Sequence, residues 1–132
     1  ETINREDRFS IKTEGSKKGT KWYELNNTNQ QQFEIKGPTK IRVFSRLQYH
    51  NININNDYYI FLREDGIDYG TYYFQTERSS ESSLVESKGI VGKWRSFWLN
   101  VPEGKHYYTF LLSKHESNHN KKVFIRLKEW QE

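Results

Sequence analysis

Residues 115 to 119 read His115-Glu116-Ser117-Asn118-His119. This matches H-E-x-x-H, in which two imidazoles one helical turn apart hold zinc and the glutamate activates a metal-bound water. That chemistry needs a helix, because only a helix fixes positions i and i+4 on one face. The surroundings argue against one. Ser113 to Asn120 is rich in Ser, Asn and His, which are poor helix formers. It lies between two strand-like runs, Tyr107 to Leu112 and Lys122 to Leu127. The segment therefore reads as a hairpin loop, with His115 and His119 at most an adventitious surface pair. No structural zinc and no peptidase activity are expected.

Other reactive groupings are weaker. The chain has no Cys, which excludes disulfides, thiolate metal sites and a Cys nucleophile. It contains no G-x-S-x-G elbow, no G-x-G-x-x-G and no P-loop lysine motif. Glu64 with Asp65 or Asp68 offers paired carboxylates, but neighbouring strand residues point to opposite faces. Asn51, Asn53, Asn55, Asn56 and Asp57, with Asp65 and Asp68, supply hard oxygen donors of the kind calcium takes. Their spacing fits no EF-hand, and Asn is common in loops for its own backbone hydrogen bonds. Asn26-Asn27-Thr28 is a formal glycosylation sequon, meaningful only in a eukaryotic secretory setting. The expectation is no catalytic residue, no metal, no cofactor and no enzyme activity.

Aromatic residues are the feature that points to function. Tyr, Phe and Trp make up 16% of the chain, so large rings must supply much of the core, and some remain for a surface. In Lys93 to Val101, Phe97, Leu99 and Val101 share one strand face with Arg95, while Trp94, Ser96, Trp98 and Asn100 share the other. The Phe97 face has the stronger claim on the core. Trp94 and Trp98 then stand roughly 13 Å apart along the strand on the opposite face. Flat rings so spaced suit stacking on successive sugar rings, with Asn100 to pair hydroxyls; either Trp can instead plug the edge of the core or lie under the 78–92 loop, as tryptophans of small β domains more often do. Tyr59 and Arg63, outward by the alternation of Tyr58 to Glu64, complete the expected ligand-binding set.

Two other readings compete. The same aromatics can pack against another domain or subunit, which makes the chain a structural or assembly unit. Arg42, Arg46, Arg63 and Arg126, interleaved with aromatics, also suit a single-stranded nucleic-acid groove. A net charge of +4 beside 17 acidic residues is modest for that role, and no RNP1 pattern occurs. Nucleic acid is therefore not the expected partner; carbohydrate or a protein is.

The elements that must position these residues are strands. Thr39 to Leu47 puts Ile41, Val43, Ser45 and Leu47 on one face and Arg42, Phe44 and Arg46 on the other. Lys122 to Lys128 alternates likewise, and Tyr58 to Glu64, Thr71 to Glu77 and His106 to Leu112 are rich in strand formers. Arg8 to Lys12, Lys21 to Leu25 and Gln32 to Lys36 are shorter candidates. Gly37-Pro38 separates two predicted strands, Asp65-Gly66 forms a tight hairpin turn, and Pro102-Glu103-Gly104 links two more. Arg78 to Gly92 reads as a long polar connection. No segment carries a helical apolar stripe, and no run of about 18 apolar residues exists to span a membrane.

The 132 residues are expected to form a single domain over 1–132, an all-β antiparallel β-sandwich of 8 or 9 strands, jelly-roll or immunoglobulin-like. A closed barrel is the main alternative. The chain has no Met, so Glu1 is expected to mark a processed or excised chain. The functional expectation is a binding module of an extracellular, cell-surface or periplasmic protein.

Overall fold

The computed structural model describes residues 3–4, 9–13, 20–49, 57–76, 82–84, 90–112 and 121–129. The HESNH segment and Asn51 to Asn56 lie outside them, as does most of the 78–92 connection. The strands are β1 (Ile3–Asn4), β2 (Phe9–Thr13), β3 (Thr20–Leu25), β4 (Gln31–Tyr49), β5 (Asp57–Glu64), β6 (Ile67–Gln75), β7 (Ser82–Leu84), β8 (Ile90–Val91), β9 (Arg95–Leu112) and β10 (Lys122–Glu129). Every ladder between them is antiparallel. The expected count of eight or nine is not reproduced. Six strands have six or more residues, and the other four are short pieces of two to five.

The strand order is β6-β5-β9-β4-β10-β3-β2-β7, with β1 and β8 pairing to β4. This is one continuous hydrogen-bonded strip. Its spine is the pair β4–β9, in register from Gln31↔Phe110 to Ser45↔Arg95. The turn signals predict a break in each strand, β4 at Gly37-Pro38 and β9 at Pro102-Gly104. Each instead runs through its turn signal as one strand. The reason is that the two irregularities coincide: Gly37 pairs with Gly104, and the register shifts only between Gly37 and Thr39. Kinks in phase bend a ladder without ending it.

Gly37 is required at this bend. A Cβ there would lie 1.9 Å from the Pro102 carbonyl oxygen. The opposing backbone occupies the space that any side chain would need.

Beyond the bend the strip packs against itself. Ser45 of β4 and Tyr58 of β5 share a buried hydroxyl hydrogen bond of 2.7 Å. Tyr23 of β3 meets Phe33 of the first half of β4 edge-on at 5.0 Å. Phe97 of β9 stacks on Tyr72 of β6 at 3.8 Å. One layer thus holds β6, β5 and the halves of β9 and β4 nearest them; the other holds the remaining halves with β10 and β3. Ile41, Val43, Leu47, Leu99, Val123 and Ile125 fill the core from the second layer, and Phe33, Ile35, Tyr58, Ile60, Leu62 and Phe110 from the first. Each fully buried aliphatic or Phe side chain contributes about 1.5–3 kcal/mol relative to exposure.

The turn at Asp65-Gly66 forms as expected. Asp65 and Gly66 take φ of 51° and 82°, the left-handed pair a two-residue hairpin turn requires. No helix among the described residues is long and apolar enough to cross a membrane.

Candidate functional site

Because Ile41, Val43 and Leu47 are buried in the core, the alternate β4 residues Lys40, Arg42, Phe44 and Arg46 face away from it. Register carries this face sideways. Arg42 lies opposite Trp98, Phe44 opposite Ser96 and Lys40 opposite Asn100 on β9. On β10, Lys128 lies opposite Arg42 and Arg126 opposite Phe44. The outer face of the second layer therefore gathers Trp94, Ser96, Trp98 and Asn100 with a row of cations and Phe44.

Trp94 and Trp98 are 45% and 40% exposed, so both stand on the surface together. Arg42 sits between them, its guanidinium carbon 5.4 Å from the Trp94 ring centre and 5.5 Å from that of Trp98. It is also 4.9 Å from the Phe44 ring, and its Nε donates to Ser96 Oγ at 3.1 Å. Lys40 Nζ lies 4.7 Å from the Trp98 ring centre. Phe44 meets Trp94 edge-on at 5.4 Å. The result is a row of interleaved rings and cations joined by cation–π contacts.

The row ends in a covered niche. Trp22 and Phe124 are buried, with Phe44 packed against them. Phe124 faces away from the main core as the alternation predicts, but it is only 2% exposed and offers no ring to a ligand. Arg46 lies over Trp22 at 5.6 Å and is itself buried. Burial lowers its pKa from the usual guanidinium value, yet arginine remains a cation at neutral pH. Its Nε and Nη1, and the Trp22 Nε1, have no hydrogen-bond partner among the described residues.

No protein-family model matches the sequence. No curated protein matches it either. Among solved structures, a carbohydrate-binding module, CBM36, in complex with calcium and xylotriose is similar at 10% identity and a TM-score of 0.47, over 96% of this chain and 92% of that one. The CBM36-1 domain of a multidomain xylanase from the hindgut metagenome of Trinervitermes trinervoides is similar at 12% identity and a TM-score of 0.43, over 98% of this chain and 91% of that one. At these scores neither likeness fixes the ligand of this chain.

Tyr59 and Arg63 do not join Trp94, Trp98 and Asn100. They lie on the outer face of the first layer, because Tyr58, Ile60 and Leu62 take the inward positions of β5. Tyr59 packs on Tyr73 at 4.8 Å. Arg63 pairs with Asp68 at 3.3 Å and, with Phe61, lines an open cleft of about 440 Å³ under the Asn26–Gln30 turn. The expected ligand-binding set thus divides between two surfaces. Sequence alternation gives the face of a residue within its own sheet, and it cannot say which layer that sheet joins.

The structure also assembles a trio that the sequence did not suggest. Glu64, Asp65 and His106 bring ligand atoms within 4.8 Å of one another. Protein partners already hold these atoms. His106 Nδ1 meets Asp65 Oδ2 at 2.7 Å, and His106 Nε2 meets the Glu103 carbonyl at 3.0 Å. Asp65 Oδ1 accepts from the Tyr107 amide, and Glu64 accepts from the Tyr108 hydroxyl at 2.6 Å. Both imidazole partners are acceptors, so the imidazolium suits the site and the His106 pKa rises, chiefly through Asp65. The Asp65 carboxyl is correspondingly lowered, chiefly through His106. This is a latch that ties the β5–β6 turn to β9.

Proposed function

We propose that this chain is a non-catalytic, carbohydrate-binding β-sandwich module, of jelly-roll or immunoglobulin-like build, from a secreted, cell-surface or periplasmic protein. Its ligand lies across the outer face of the second layer. Trp94 and Trp98 contact the apolar faces of sugar rings, and Asn100 pairs with hydroxyls. One observation carries the reading: two tryptophans stand exposed on one sheet face, with Arg42 between them. Exposed large rings in a preset orientation bind with little loss of side-chain freedom. The Arg63 cleft is a separate surface and no part of this site.

A panel of immobilised polysaccharides tests this, read by retention of the protein and by intrinsic Trp fluorescence. At least one polysaccharide should bind, and Trp94→Ala and Trp98→Ala should each abolish retention while leaving the fold intact. Undiminished binding in both variants would remove the face from the function.

The competing assembly reading draws on β6. Among the described residues it pairs only with β5, and Ile67, Tyr69 and Tyr73 stand exposed along it. An exposed edge strand with apolar side chains invites pairing with another chain. Sedimentation velocity across a concentration series separates the readings. A monomer throughout speaks against self-assembly through β6, and a concentration-dependent dimer speaks for it.

A further inference from the structure

We infer that the ligand of the second-layer face is an anionic polysaccharide, one that carries carboxylate or sulfate groups on its sugar rings. The inference rests on the glycan reading and adds the charge class. It follows from how this face is populated. Lys40, Arg42 and Arg46 of β4 and Lys122, Arg126 and Lys128 of β10 all occupy outward positions in adjacent, registered strands. In the second layer, Glu24 of β3 is the one carboxylate at an outward position among the described residues; Glu34 of β4 lies in the first-layer half of that strand. The whole chain has 21 basic and 17 acidic residues, so an even scatter would mix the signs. Here the cations are segregated.

Among the described residues these cations also have no ion-pair partner. The ion pairs of the described residues, Arg63–Asp68, Lys105–Glu34, His106–Asp65 and Lys121–Asp57, all lie off this face. Arg42 spends only Nε on a protein acceptor, Ser96, and no other hydrogen bond of its side chain forms among the described residues. Its terminal nitrogens therefore keep the planar fork that matches a carboxylate or sulfate. At the buried end of the row, Arg46 Nε and Nη1 likewise find no acceptor. A surface that sets six cations against rings and a single carboxylate holds a positive potential for an external anion. Cations on alternate strand residues stand about 7 Å apart, and neighbouring rows about 5 Å apart, so the face offers charges at the scale of successive sugar units. A phosphate backbone is the less suitable anion, because a net charge of +4 is small for a nucleic-acid domain.

The test compares the same chain on matched probes: polygalacturonate and its fully methyl-esterified form, alginate, chondroitin sulfate, neutral xylan and β-glucan, and a twenty-residue oligothymidylate. The expected result is retention by at least one acidic polysaccharide. Esterification, or a rise from low to high salt, should then weaken binding by about tenfold or more. Arg126→Glu with Lys128→Glu, at a half-buried and an exposed position, should do the same without loss of the folded circular-dichroism signal. Binding to neutral glycans alone, unchanged in the charge-reversal variant, would overturn the anionic inference and leave the glycan reading standing. Preference for oligothymidylate, or no binding to any probe, would overturn both.

Discussion

Arg42 and Trp98 face each other across the β4–β9 ladder, with the guanidinium carbon 5.5 Å from the centre of the indole. The contact is made on the surface, beyond a strand whose other side is packed in the core. Trp98 is therefore held in place without being part of the interior. Trp98→Ala should cost only about 1 kcal/mol of stability, the scale of an exposed cation–π contact with some packing. Urea melts of the variant and the parent chain check this. A loss of about 3–5 kcal/mol would mean that the ring fills a core site instead.

Gly37 is the glycine least able to accept a side chain among the described residues. Gly37→Ala would drive a methyl group into the Pro102 carbonyl, since even an ideal Cβ sits 1.9 Å from that oxygen. The two bent strands must separate to relieve the overlap. A loss above about 3 kcal/mol is expected, at the severe end for single substitutions. The same urea experiment reads it, and a parent-like midpoint would show that the bend relaxes freely.

Ser45 and Tyr58 should behave as a coupled pair. Both are fully buried, and each hydroxyl has the other at 2.7 Å. Tyr58→Phe strands the serine hydroxyl in the core and should cost about 1–2 kcal/mol. Adding Ser45→Ala should cost less than the sum of the two single changes. Burial also pushes the Tyr58 pKa up to about 12, and Tyr72, Tyr73 and Tyr108 are raised as well, so alkaline spectrophotometric titration should show several tyrosines ionising late and one fewer of them in Tyr58→Phe. Strict additivity with ordinary titration would contradict the contact.

The His106–Asp65 latch gives stability a pH dependence. The His106 pKa is raised from 6.5, so its contribution is complete below that value and is lost as pH rises through the folded-state pKa. The Asp65 pKa is lowered from 3.8, so its contribution is complete above that value and is lost as pH falls through the depressed one. The latch is strongest between the two. Comparing thermal midpoints of the parent and His106→Ala from pH 3 to 9 should give the largest gap near pH 5 to 6, narrowing on either side. A gap independent of pH would leave the imidazole a purely steric role.

Much of this was legible from alternation. Ile41, Val43 and Leu47 are buried and Arg42 faces out, as the period of two requires. The same rule exposes Trp94 and Trp98 and buries Leu99 and Val101. Ser45, polar in an apolar row, makes sense only once Tyr58 is seen across the core. Three features were beyond the sequence. Gly37-Pro38 and Pro102-Gly104 are turn signals that mark a kink, but only the ladder reveals that the kinks face each other and leave both strands whole. Tyr59 and Arg63 face outward as read, yet on the other layer, which depends on where the strip folds. The cationic row is also hidden in one dimension, because its members come from separate strands that only the register brings side by side.

Equilibrium binding of the parent chain, Trp94→Ala and Trp98→Ala to the acidic and neutral polysaccharides, followed by intrinsic fluorescence or calorimetry, tests the binding face most directly. The expected result is saturable binding of at least one polysaccharide by the parent, and none by either variant, with both variants folded. Parent and variants binding alike, or no polysaccharide bound by the parent, would contradict it.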